Sequence, residues 1–196
     1  MDNLMNEGIR RIISEIHGLD PEKREWVNED FVKIKLGMWF QSKNCEVYPE
    51  INTGKSGMSK KKELDLLLEY PDGDRYGLEI SFPLKSHGET TDAIFKIWKD
   101  VEYLEDLKEA ETITKGYFLM ITDNPLFWYR RHNNGVGRMN RSMYSCIRNG
   151  NDNGNISILE NMRDVTLLRK YSSNWMPEAG QNGDAVNGLR YFSISV

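Results

Sequence analysis

The sequence predicts an α/β fold, a mixed central sheet flanked by helices. Three observations carry this reading. Two stretches of helical periodicity open the chain. A strand–turn–strand unit follows them. A third amphipathic helix then leads into a strongly apolar strand, and the order strand, strand, helix, strand implies a mixed sheet. At 196 residues the chain suits one domain over 1–196, long enough to bury a real core. With 39% hydrophobic and 29% charged residues it has a globular composition.

The elements can be justified in order. Ile9, Ile12, Ile13 and Ile16 recur at helical spacing over 3–17, and Gly18 follows as a stop. A second helix is predicted from Asp20 as N-cap and Pro21 at the first helical position. Trp26, Val27, Phe31, Ile34, Met38 and Trp39 are its expected buried face. Residues 45–51, "CEVYPEI", read as a short strand broken at Pro49. "ELDLLLEY" and "YGLEISF" are strands about the turn "PDGD". From Thr90 the pattern is helical, with Ile94, Ile97, Trp98, Val101, Leu104 and Leu107 on the inner face. "GYFLMIT" is a buried strand, and "ISILE" and "LRYFSISV" supply further short ones.

Several function classes recede at once. The opening "MDNLMNEGIRR" has no apolar signal core, and runs such as "YFLMI" are too short to span a bilayer. No membrane partner is expected, and the cytosol is the expected location. Cys45 and Cys146 form no zinc spacing and read as buried thiols. "NTGKSG" fails as a phosphate loop, because the required glycine five places before Gly54 is Pro49. The net charge of −4 argues against a nonspecific nucleic-acid coat. The charge is uneven, however. Arg130, Arg131, Arg138 and Arg141 lie in a stretch free of Asp and Glu, and Lys60, Lys61 and Lys62 close a second one. Contacts to phosphate are local, so these segments remain candidates for holding nucleic acid. Tyr129 and Tyr144 among the arginines suit base stacking, while a solvated loop balancing the acidic helix is the alternative.

The hairpin carries the sharpest chemistry. Asp65 lies on its first strand and Glu79 on its second. Folding about Asp72-Gly73 puts Asp65 opposite Ile80 and makes the two acids near neighbours. Two such carboxylates are hard oxygen ligands suited to Mg²⁺ or Mn²⁺. The competing reading is a sheet with one wet face, where isolated acids are routine. Glu50 is the favoured third ligand, ahead of Glu25 and Glu29.

"ELDLLLEYPDGDRYGLEIS" resembles the core of the PD-(D/E)xK nuclease superfamily. There an acid on one strand is followed, across a hairpin, by acid-x-Lys on the next. The stretch "LEISFPLKSHGETTDAIFKIWKDVEYLEDLKEAETITKGYFLMITDNPLFW" is similar to the restriction-endonuclease-like branch, with its Phe-Pro step, lysine-bearing helix and Lys99-Asp100 pair. The likeness covers 63–128 well and the ends loosely. It implies restriction-endonuclease-like architecture, Asp65 and Glu79 as metal ligands, and Mg²⁺-dependent hydrolysis of DNA in restriction or another defence role. A homodimer is among the partners it implies.

The pattern departs at Ser81, where the motif lysine belongs. A serine has no positive charge and is no useful base near neutral pH. A lysine from elsewhere can have taken the role, with Lys85 and Lys96 as candidates. Otherwise the protein is a degenerate binding module of the same fold, or the serine is an inactivating change. Asp65, Glu79, Ser81, Lys85 and Lys96 are therefore the candidate catalytic set.

Overall fold

The computed structural model describes residues 1–53, 62–84, 90–124, 127, 155–158, 163–169, 171 and 189–196. The elements are α1 (Asp2–Gly18), α2 (Pro21–Arg24), α3 (Glu29–Gln41), β1 (Glu46–Asn52), β2 (Glu63–Glu69) and β3 (Arg75–Ser81). They continue with α4 (Thr90–Glu109), β4 (Lys115–Thr122), β5 (Asn155–Ile158), β6 (Arg163–Thr166) and β7 (Arg190–Ser195). The fold is α/β, as predicted. Five strands form a mixed open sheet in the order β1-β2-β3-β4-β7, and β5 pairs with β6. The chain forms two compact units, Met1–Ile80 with Leu107–Gly116, and Ser81–Asp106 with Tyr117–Val196.

In the first unit α1 buries Met5, Ile9, Ile12, Ile13 and Ile16 along one stripe. Its neighbour α3 also packs on β1 and β2. The helices meet where the Trp39 indole lies on Gly8, and a Cβ there would fall 2.5 Å from the ring. The indole N–H donates to the Leu4 carbonyl at 3.4 Å. Beneath them Leu64, Leu66 and Leu68 alternate as the buried residues of β2.

Three expectations for this region are corrected. The second helix is two helices, because α2 stops after Arg24 and Asn28 starts α3 afresh. The Asn28 side chain accepts the Phe31 amide at 2.9 Å, an N-cap. The buried face also differs. Trp26, Ile34 and Met38 are exposed, while Val32, Leu36 and Phe40 join Trp39 in the core. Apolar residues run right round α3, so its periodicity selects no single face. The strand at 46–52 is also not broken at Pro49, which pairs with Leu66. β1 lies at the edge of the sheet, where a missing amide is tolerated.

The second unit holds most of α4 and of β4. Ile97, Trp98, Val101 and Leu104 of α4 are buried as expected, as is Leu107 in the first unit. Strand β4 pairs antiparallel with β7 from Tyr117↔Ser195 to Thr122↔Arg190, and Phe118 meets Phe192. Strand β6 was not anticipated from its short polar-leading sequence. Among the described residues no helix is long and apolar enough to cross a membrane.

Candidate functional site

The site begins with the hairpin turn. Strands β2 and β3 pair from Glu69↔Arg75 to Leu66↔Leu78. Tyr70 and Asp74 close the loop through an amide-to-carbonyl bond of 3.0 Å. The loop is therefore three residues, Pro71, Asp72 and Gly73, and not a two-residue turn. Gly73 takes φ +90°, the left-handed position such loops require. The Asp72 carboxylate accepts the Asp74 amide at 3.1 Å.

The extra loop residue moves the register by one. Continued past Leu66↔Leu78, the pairing brings Asp65 opposite Glu79, not opposite Ile80. Directly opposed residues of an antiparallel pair project to the same side. Carried one residue past the last pair, this register would set the two acids on one side of the sheet. At this point a side chain replaces the ladder. Asp65 Oδ2 accepts the Ile80 amide at 2.7 Å, which fixes the carboxylate at the open end of the hairpin.

Glu50 comes to the same place from β1. Its neighbours pair as Pro49↔Leu66 and Ile51↔Leu64, so Glu50 stands across from Asp65. It holds φ +50°, which is strained for a residue with a Cβ. The feature joining the two acids is Lys33, from α3. Its Nζ lies 3.1 Å from Asp65 Oδ1 and 3.5 Å from Glu50 Oε1. Glu29 Oε1 and Asp30 Oδ1, one turn back on the same helix, are each 3.6 Å away. The Lys33 side chain is only 12% exposed. Burial pulls its pKa down, but the hydrogen bond and charge of Asp65, aided by Glu29 and Asp30, outweigh it and hold the ammonium above the ordinary lysine value.

Glu79 is buried in β3 and faces a different lysine, with Lys62 Nζ at 3.8 Å from Oε1. Ser81 is also buried, at the end of the same strand. Of the expected stand-in lysines, Lys96 is exposed on α4 and Lys85 lies outside the described residues. Lys60, Lys61, Arg130, Arg131, Arg138 and Arg141 lie outside them too, as does Cys146. Cys45 is buried as expected, and burial pushes its thiol up to about 11. Glu25 is exposed in the link between α2 and α3.

Lys33 escaped the sequence reading. Its only local signal is the pair of acids three and four residues earlier, the pattern of an ordinary solvated helix face. The donor set of Asp65, Glu79 and Glu50 is all carboxylate oxygen, which fits Mg²⁺ or Mn²⁺ and not a thiophilic metal. An ammonium already rests between two of these acids, so the place attracts cations. Among the described residues no group of three or more His, Cys, Asp or Glu is drawn together closely enough to hold an ion outright. A cavity of about 330 Å³ opens at the turn end of the hairpin, between Gly73, Arg75, Lys108 and Thr114, away from the carboxylates. No family model, no curated protein and no solved structure matches the chain.

Proposed function

We propose that this protein is a divalent-metal-dependent DNA endonuclease of restriction-endonuclease-like architecture, acting in restriction or another defence role. One observation carries the reading. Strands β2 and β3 pair as far as Leu66↔Leu78, the residues next to Asp65 and Glu79, and the Ile80 amide fixes Asp65 where the strand ladder gives way. Asp65 and Glu79 would hold Mg²⁺ or Mn²⁺, with Glu50 as the third ligand. A bound divalent ion polarises phosphoryl oxygens and lowers the pKa of water in its shell.

The chain's own groups have separate tasks. The Ile80 amide aims Asp65 by holding Oδ2, which leaves Oδ1 to face Lys33. Burial of Glu79 in β3 limits its motion and its exchange with water. Ser81 supplies no charge; among the described residues Lys33 and Lys62, neither within the motif, lie near the carboxylates. The lysines up to Lys62 and the arginines from Arg130 to Arg141 would hold the duplex through its phosphates. The charge balance at the acids favours a second reading. Lysines already face both carboxylates, which suits a nuclease-fold module that binds nucleic acid without cutting it.

Plasmid cleavage with Mg²⁺ or Mn²⁺ separates the two. The endonuclease predicts nicking or linearisation by the parent and a drop of about 10²-fold or more in Asp65→Ala. Equal cutting by the parent and Asp65→Ala removes the assigned site. No cutting by the parent, with cutting gained in Ser81→Lys, supports the binding module.

A further inference from the structure

We propose that Lys33 is the resident counter-cation of the carboxylate site, and that a divalent ion enters by displacing it from Asp65. The proposal rests on the reading of Asp65 and Glu79 as a metal site and concerns what regulates that site's affinity.

Four carboxylates surround one ammonium, at 3.1 to 3.6 Å from Nζ. The two oxygens of Asp65 are already divided. Oδ2 is bound to the Ile80 amide, and Oδ1 is the oxygen that Lys33 holds. An incoming ion must take Oδ1, and it would then lie within a few ångströms of Nζ. A divalent cation and an ammonium that close repel strongly in a partly buried setting. Both cannot stay.

The surroundings let the lysine yield. Losing Asp65 and Glu50 does not strand the ammonium, because Glu29 and Asp30 lie one turn back on its own helix. A charge that leaves one partner is costly only where no other remains. The four-carbon stem supplies the reach. Glu50 is held at positive φ on the far side, so Lys33 spans two elements that an ion would bridge in its stead.

Calorimetric titration of the full chain with MnCl₂ tests the exchange, using the parent, Lys33→Met, Lys33→Arg and Asp65→Asn. Removing the competing charge is expected to tighten Mn²⁺ binding by about tenfold in Lys33→Met, while Lys33→Arg stays within about twofold of the parent. Equal or weaker binding by Lys33→Met, with binding abolished in Asp65→Asn, overturns the exchange and leaves the metal site standing. No binding by parent and Lys33→Met alike, or unchanged binding in Asp65→Asn, overturns the site and the exchange with it. Where Lys33→Met does not fold, Mg²⁺ is titrated into parent protein labelled at lysine and aspartate. A saturable shift of the Lys33 side-chain resonances supports displacement, and unmoved resonances beside shifting Asp65 signals refute it.

Discussion

Glu105 and Asp65 are both carboxylates drawn in from solvent, one in each compact unit, and they are satisfied by opposite kinds of partner. Glu105, buried on α4, accepts the amides of Leu168 and Arg169 at 2.7 and 3.1 Å and the Tyr171 hydroxyl at 2.7 Å. Its donors are two backbone groups and a phenol, all directional. Asp65 has one such bond, from Ile80, and its other oxygen faces an ammonium on a flexible stem. Backbone donors cannot leave without unfolding their segment. An ammonium with other acids nearby can. Glu105 is thus a clamp that ties the segment after β6 to α4, whereas Asp65 keeps one oxygen exchangeable. Burial alone does not mark an acid as functional; the kind of partner separates the two.

That contrast breaks or sharpens in measurable ways. The largest effect is expected at Glu105. Replacing it with Ala leaves buried donors without an acceptor, and the loss should be about 3 kcal/mol in urea unfolding. A loss under about 1 kcal/mol would mean that the clamp is decorative, since unsatisfied buried groups normally exceed that. Next comes Tyr171→Phe, which removes one of the three donors and should cost about 1 kcal/mol at neutral pH. This second effect depends on pH. Burial first, and the bond to Glu105 second, hold the Tyr171 phenol above the ordinary tyrosine range. A raised folded-state value contributes stability that is complete below the unfolded pKa and fades as pH climbs past it. The gap between parent and Tyr171→Phe should therefore narrow above about pH 10. A gap of constant size across that window would separate the phenol from the clamp.

The smallest change is expected for Asp65→Asn without divalent ion. The amide oxygen still accepts from Ile80, and Lys33 keeps Glu50, Glu29 and Asp30. The loss should stay below about 1 kcal/mol. A loss as large as that of Glu105→Ala would make Asp65 another structural clamp and weaken the functional reading. Together these variants set a stability scale against which the Mn²⁺ titrations and plasmid assays can be read.

Much of the fold was legible because its signals are local. The stripe Ile9, Ile12, Ile13 and Ile16 and the alternation Leu64, Leu66 and Leu68 are periodicities of the chain itself. Asp65 and Glu79 stood out for the same reason, as acids on strands beside a turn. The register was misjudged by one residue because "PDGD" is compatible with loops of two or three residues. Only the closing bond between Tyr70 and Asp74 decides between them. The face of α3 was misjudged because its apolar residues encircle the helix, so the neighbours select which ones are covered. Glu105 was overlooked because its partners are 63 to 66 residues away.

By itself, then, the sequence determined most of the element types, their order and the two strand acids, since periodicity and turn chemistry act over a few residues. Tertiary structure alone decided the three-residue loop and its register, that Glu50 comes beside Asp65, and that Lys33 sits among four carboxylates. Those relations depend on one loop residue and on how a helix packs against a sheet edge. Distances between charges are set by that packing and not by spacing along the chain.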